Sequence, residues 1–312
     1  MKVFAPGKLV LTGAYAVLSG APAIVVATSR GAVADGARTA APTPEVRAAL
    51  GSAPAPHVDA SSLFVGHRKL GLGASAAILV ASLAVREGAR GADLEDPQVR
   101  RLLFERARGA HAASQSGGSG VDVAASVYGG VLEYVPGDPR IRTLPAAIVL
   151  AVFACGTSAR TSELRGFVDR LAETDPSVHH ACIAELTTIA QAAASAVRTG
   201  ERESFIGAVR QASRALARLG AAAGVAIVPE GFAALEALAA AEGAAFCVSG
   251  AGGGDVATYV GSRRPGPAFV ERALALGLFE IDVALDEKGV RVISQSAASL
   301  GDAAIAGMAS TS

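Results

Sequence analysis

The sequence has few cysteines, no excess of either charge and no apolar run that stays unbroken for the length of a bilayer. Its three cysteines, Cys155, Cys182 and Cys247, stand far apart with no metal-like spacing. They read as reduced thiols in a cytoplasmic protein. The five histidines, two of them the neighbours His179 and His180, form no ligand constellation, so a structural zinc is not expected. The 28 basic and 28 acidic residues cancel. That balance argues against nucleic acid or an anionic membrane as the main partner. No residue between Lys8 and Arg30 is charged, but Thr12, Gly13, Ser19, Gly20 and Pro22 interrupt the stretch. Two buried strands joined by a turn at Ser19–Pro22 explain it better than a membrane-spanning helix. No internal repeat is present, and no linker separates two halves cleanly.

What is present is apolar and glycine-rich. Of 312 residues, 51% are hydrophobic, 18% charged and 36 are glycine, enough for a sizeable core in one large or two ordinary domains. Near the start, Val3 to Ala5 reads as a short strand, Ala5 to Lys8 as a turn, and Leu9–Leu11, Ala23–Ala27 and Gly31–Asp35 as strands. Gly36 to Asp59 is rich in Ala, Pro and Ser and reads as a surface segment with one weak helical piece at Glu45–Leu50. Asp96-Pro97 is an N-cap and N1 pair opening a helix striped by Val99, Leu102, Leu103 and Ala110. From Thr161 onward helices dominate. Leu164, Phe167, Val168 and Leu171 mark one; Pro176–Arg198 and Glu201–Leu219, ended by Gly200 and Gly220, are two more; a fourth runs from Pro229 to Ala241. Strands at Ala245–Val248 and Val256–Val260, a helix at Ala268–Leu276 and an alternating stretch from Phe279 to Leu285 suggest an α+β unit with an antiparallel sheet.

The densest chemistry lies at His67-Arg68-Lys69 and Gly71-Leu72-Gly73-Ala74-Ser75, ahead of an apolar helical run. Glycines let backbone approach a ligand closely. A helix starting at Ser75 would aim its free N–H groups and positive dipole end at that turn, which makes an anion site. Taken alone, the stretch fits a plain glycine-rich turn, a dinucleotide fingerprint (Gly71, Gly73, Ala76) or a nucleoside-triphosphate loop. It is not a Walker loop, because no Gly-Lys-Ser/Thr follows four spacers. Two more glycine-rich turns follow, at 117–120 and at 250–254.

Ala5-Pro6-Gly7-Lys8, then Gly71 to Ala77, then Gly250-Ala251-Gly252-Gly253-Gly254 stand in the order of the three motifs of the GHMP kinases, the galacto-, homoserine, mevalonate and phosphomevalonate kinases. The chain resembles that family over nearly its whole length. The lysine at 69 directly before the glycine loop resembles the phosphomevalonate kinase branch, as do Asp255 after the last loop, Gly120 to Ala125 and Ser158 to Leu164.

The resemblance implies a two-domain α+β fold, an N-terminal mixed α/β domain over 1–158 and a ferredoxin-like C-terminal domain over 159–312, with the active site in the cleft between. It implies transfer of the ATP γ-phosphate to 5-phosphomevalonate, with Mg²⁺, in the mevalonate route to isoprenoids. Lys69, Gly71, Leu72, Gly73, Ala74, Ser75 and Ala76 would hold ATP, with the Ser75 hydroxyl on Mg²⁺ or a phosphate oxygen. Asp122 would face the acceptor with Lys8 as its cationic neighbour, keeping the carboxylate ionised and neutralising the transferring group. Tyr15, Ser119, Gly120, Gly250, Ala251, Gly252 and Gly253 would complete the acceptor site. Arg68, His67, Arg30 and Arg160 are further candidate anchors for an acceptor carrying carboxylate and phosphate. The partners implied are small molecules, not nucleic acid or membrane, and a homodimer is left open.

Two positions depart from the family pattern. Ala14 stands where a glutamate is frequent, and Cys247 stands before the last loop where a lysine is frequent. They leave two alternatives, a mevalonate kinase and a nucleotide-binding regulatory member without catalysis.

Overall fold

The computed structural model describes residues 1–114, 118–156 and 161–293. Its first half runs β1 (Lys2–Thr12), β2 (Ala23–Ala40), α1 (Pro44–Leu50), β3 (Ala55–Asp59), β4 (Phe64–Val65), β5 (Arg68–Lys69), α2 (Ala74–Ala89), α3 (Pro97–Ser114), α4 (Val121–Tyr128), β6 (Val131–Val135), β7 (Asp138–Arg142) and β8 (Val149–Ala154). The second runs α5 (Thr161–Thr174), α6 (Pro176–Thr199), α7 (Arg202–Ala223), α8 (Phe232–Ala241), β9 (Ala245–Val248), β10 (Val256–Gly261), α9 (Pro267–Ala275), β11 (Phe279–Ile281) and β12 (Arg291–Ile293).

The strands form two main antiparallel sheets, ordered β12-β1-β2-β6-β7 with β3 also on β2, and β11-β8-β10-β9. The chain therefore has an α+β fold. The expected boundary after residue 158 falls among 157–160, outside the described residues. Two strands cross between the halves: β8 joins the second sheet, and β12 returns to the edge of β1.

β1 and β2 are almost wholly buried along their paired length, which suits their Val, Ile, Leu and Ala content. Alanine-rich α2 packs on them, with Ala76, Ala77, Leu79, Val80, Leu83 and Ala84 all at 1% exposure or less. Small side chains bring this helix close to the sheet, and Gly73 just before it lies against Lys8 of β1.

Several expectations give way. The turn expected at Ala5–Lys8 is instead a register shift between Pro6 and Gly7 inside one continuous strand. A Cβ on Gly7 would lie 2.5 Å from the Leu72 carbonyl oxygen, so a glycine is required for this backbone contact. Residues 36–59 are not a loose surface segment: β2 runs on to Ala40, α1 begins at a Thr43 cap, and β3 pairs with β2. A second hairpin strand, β7, follows β6 where none was expected. Gly220 does not end α7, which runs to Gly224 in the left-handed region at φ +69°. Gly220 lies within the helix, where a Cβ would stand 2.6 Å from the Val225 carbonyl oxygen, so the glycine serves a close contact there and not a helix end. Leu102 is 48% exposed and lies off the buried stripe of α3, while β11 is short and leaves Phe279 and Leu285 partly exposed.

Candidate active site

Lys8 is where the first and third glycine loops meet. It lies mid-strand on β1 and is 7% exposed. Its backbone N–H donates to the Leu72 carbonyl (2.9 Å) and its ammonium to the Gly71 carbonyl (3.2 Å). A Cβ built on Gly73 would lie 3.0 Å from Lys8 Cγ and 3.7 Å from Asp122 Oδ2, and one on Gly250 would lie 3.4 Å from Lys8 Nζ. One buried ammonium thus touches the first loop, faces the start of the second helix and reaches the third loop. Asp122 shares that space.

Each loop is shaped by backbone rather than side chains. Gly71 and Gly73 hold φ +70° and +78°, and a Cβ on Gly71 would strike the Asp255 side chain at 2.4 Å. Gly73 is the N-cap of α2 and Gly120 (φ +82°) the N-cap of α4, each without a side-chain capping bond. The free N–H groups and positive ends of two helices therefore lie at the Lys8 cluster. Asp122, in the first turn of α4, gains from that dipole. The Ser126 hydroxyl fixes α4 to β1 by donating to the Pro6 carbonyl at 2.7 Å.

The third loop is bound to the first strand region. Val10 N–H donates to Ser249 Oγ (2.9 Å), and the Tyr15 hydroxyl donates to the Ala251 carbonyl (2.9 Å). Gly253 N–H donates to the Ile227 carbonyl at 2.8 Å, and a Cβ on Gly252 would lie 2.2 Å from that same oxygen. Tyr15 takes φ +61°, a conformation a bulky residue avoids. Burial, and next Asp169, push its phenol well above the ordinary range, so it is a donor at any working pH. Burial likewise pushes the Cys155 thiol up to about 12, with Asp255 adding to the rise and Arg68 opposing it.

The structure brings Lys8, Gly71, Gly73, Asp122 and Gly250 together, with Ala74, Ser75 and Ala76 in the first turn of α2 and Tyr15 and Ala251 at the third loop. Leu72 is 1% exposed, so it offers the loop only its backbone. Ser119 Oγ accepts from Val121 N–H (3.3 Å) and shapes the turn before α4. Lys69 is exposed on the small β4–β5 hairpin, as is His67 beside it, and Arg68 is half-buried. This hairpin replaces the long apolar strand that a dinucleotide fingerprint requires, and it removes that reading. Arg30 is not a free anchor: it donates to the Asp282 carbonyl (2.8 Å) and the Ser62 carbonyl (3.2 Å). Arg160, the stretch 158–160 and residues 115–117 lie outside the described residues. Cys247 is 1% exposed, with its sulfur directed at the Leu11 carbonyl (3.8 Å), so that position faces β1 rather than the cluster.

Two residues escape sequence reasoning. Asp255 figures there only as the end of a motif, yet its side chain packs against Gly71. His111 falls with the histidines that form no constellation, yet its Nε2 stands 3.0 Å from Ser75 Oγ. The signal for it exists: His111 falls four residues after Ala107 on the buried stripe of α3, where an unforced histidine is unusual.

Among the described residues, no group of three or more His, Cys, Asp or Glu side chains is placed to hold a metal ion. The oxygen donors at the cluster, Ser75 Oγ and Asp122, fit a cation that enters with a phosphate ligand and keeps most of its other partners, as Mg²⁺ does.

No protein-family model matches the chain. Solved structures give the class: the chain has the GHMP kinase fold. A Lin0012 protein from Listeria innocua superposes with TM-score 0.80 at 21% identity, over 94% of this chain and 99% of that one. Streptococcus pneumoniae phosphomevalonate kinase, in complex with phosphomevalonate and AMPPNP, superposes with TM-score 0.75 at 16% identity, over 91% and 99%. In sequence, the chain is similar to the phosphomevalonate kinase of Streptomyces sp. (strain CL190), 30% identical over 220 residues. That match covers 62% of this chain and 58% of the relative, less than two thirds of the relative's length.

Proposed function

We propose that this chain is an ATP-dependent kinase that phosphorylates the phosphate group of 5-phosphomevalonate, giving 5-diphosphomevalonate and ADP in the cytoplasm. The observation that carries the reading is the buried ammonium of Lys8, shared by the first and third glycine loops with Asp122 at the same place. Phosphoryl transfer needs positioning and charge neutralisation more than covalent chemistry, and this cluster is built for both. The names of the Streptomyces relative and of the Streptococcus structure with its bound phosphomevalonate support the choice of acceptor.

In this reading, ATP and the acceptor lie between the domains 1–158 and 159–312. The N–H groups of Gly73 to Ala76 bind the ATP phosphates at the start of α2. An oxygen of the acceptor phosphate forms a bond to the γ-phosphorus as the bond to the β-bridging oxygen breaks, and the electron pair leaves with ADP. Lys8 and the positive ends of α2 and α4 neutralise the equatorial oxygens. A phosphate acceptor at neutral pH has an ionised oxygen to offer, so Asp122 orients it rather than deprotonating it. Ser75 would help to hold Mg²⁺ together with the nucleotide's own oxygens, and the ion would supply countercharge.

The test is a panel of phosphomevalonate, mevalonate, homoserine and galactose, each with purified protein, ATP and Mg²⁺, followed by ADP release and phosphorus NMR of the product. Turnover with phosphomevalonate alone is expected. Turnover with mevalonate alone would move the assignment to a mevalonate kinase, and ATP binding without turnover on any acceptor would leave a regulatory protein.

A further inference from the structure

We propose that Asp255, directly after the third glycine loop, is a positioning residue for the first: its side chain bears on Gly71 and sets that loop for ATP. The inference rests on the kinase reading above and deepens it by naming what holds the ATP loop in its binding shape. Gly71 takes φ +70°, and a Cβ there would lie 2.4 Å from Asp255 Cβ, 2.8 Å from its Oδ2 and 2.9 Å from its Cγ. The Lys8 ammonium donates to the carbonyl of the same glycine at 3.2 Å. The turn is thus engaged at its carbonyl by a cation from β1 and at its Cα by a side chain from the other half of the chain.

Of these two partners, the glycine turn is the one that yields. The atom nearest the built Cβ is Asp255 Cβ, the base of the side chain, which moves only with its own backbone. That backbone is fixed. The Cys155 N–H donates to the Asp255 carbonyl (3.0 Å), and the next residue, Val256, pairs with Ala154 in the second sheet. The Ser249 N–H closes the neck of the third loop by donating to the Val256 carbonyl at 3.1 Å. Gly71 follows only the two-residue strand β5 and holds a left-handed conformation that glycine alone adopts without cost. A loop so placed aims its N–H groups at phosphate while the contact at Gly71 is intact. A loop that leaves this shape in the free protein lowers the fraction competent to bind, and apparent affinity falls in proportion. The effect of Asp255 on ATP is carried by Gly71.

The experiment is calorimetric titration of the full chain with ATP and Mg²⁺, which reads the dissociation constant separately from the fraction of molecules that bind. Asp255→Ala is expected to raise the constant by about 5-fold and leave that fraction unchanged, whereas loss of a merely structural residue would lower the fraction alone. Gly71→Ala meets two obstacles. The left-handed conformation is worth about 5–30-fold in affinity, and the collision with Asp255 about 5–150-fold. Asp255→Gly removes the Cβ that the new methyl strikes, so adding Gly71→Ala in that background is expected to cost only the first factor. Asp255→Ala keeps the Cβ, so in its background Gly71→Ala is expected to cost nearly as much as in wild type. Any other contact of the Asp255 carboxylate is contained in the Asp255→Gly single variant and cancels from the comparison. Should Gly71→Ala fail to fold, Gly71→Asn, which tolerates left-handed backbone and carries the same Cβ, takes its place with the same expected relief. Equal costs of the Gly71 variant in the wild-type and Asp255→Gly backgrounds would overturn the proposal, as would an Asp255→Ala protein that lowers only the binding fraction. Wild-type protein that binds no ATP would overturn the kinase reading itself, and this inference with it.

Discussion

Two closely packed junctions of this chain are made of opposite materials. Under the second sheet, Phe153, Phe246, Phe269 and Tyr259 interlock edge-to-face with ring centroids 5.1 to 6.2 Å apart. Around Lys8, glycine backbone meets backbone, Gly7 against the Leu72 carbonyl and Gly252 against the Ile227 carbonyl, while Gly71 makes room for the Asp255 side chain. The first junction is filled by side chains and can be hollowed out. The second has almost no side chain to remove, and the few it has carry charge. The contrast teaches where stability and activity are separately stored, and each prediction below is a way of breaking that separation.

The largest effect belongs to the aromatic junction. Phe246 is 1% exposed and lies 5.1 to 6.2 Å from Phe232, Phe269 and Phe153. Truncation by Phe246→Ala is expected to cost about 3–5 kcal/mol in denaturant unfolding. Turnover per folded molecule is expected to be unchanged. If it fell along with stability, the two junctions would not be separable.

Next comes the reverse case. Asp122→Asn keeps the shape of the side chain and removes its charge beside Lys8. The expected loss in the rate of the proposed transfer is about 10²–10³-fold, on the scale of removing one electrostatic partner of a reacting group. Stability is expected to change by only about 0.3–1 kcal/mol, the interaction of a carboxylate with a helix N-terminus. A comparable rate with a lower melting temperature would make Asp122 a folding residue and would sharpen the comparison against the site.

The glycine junction is more legible in the sequence than the aromatic one. Lys8 and Asp122 can be named because the order of the motifs resembles that of the GHMP kinases, and the glycine loops at Gly71–Ser75 and Gly250–Gly253 are visible locally. The alternating strands and amphipathic helices point to the α+β class for the same local reason. What stays hidden is non-local. Nothing near residue 8 announces that Pro6 and Gly7 sit in a bulge against Leu72, because the neighbour lies far along the chain. Nothing near residue 149 announces that β8 pairs with β10 rather than with the first sheet. His111 is the instructive miss: its helical stripe is visible, but its partner Ser75 comes from another helix. Arg30 errs in the other direction, since a cation near an expected site gives no hint that backbone carbonyls already engage it.

The smallest effect lies on the seam between the junctions, at Tyr15. Its hydroxyl ties the third loop to the first strand region through Ala251, so Tyr15→Phe removes one hydrogen bond and leaves the ring. The expected cost is about 1 kcal/mol at pH 7, or about 2–4 °C in melting temperature. Its pH dependence has a definite sign. Burial, and next Asp169, raise the folded phenol above its unfolded value. The neutral form is therefore the one the fold stabilises, and that contribution is complete below the unfolded pKa of about 10. Above it, unfolded Tyr15 ionises while folded Tyr15 does not, and wild-type stability falls with rising pH. Phenylalanine has no such loss, so the gap between wild type and variant should narrow between about pH 9 and 11. A gap that stayed constant or widened would mean the phenol is not held neutral at this seam. The third loop would then be fixed by Val10, Ser249 and Ile227 alone.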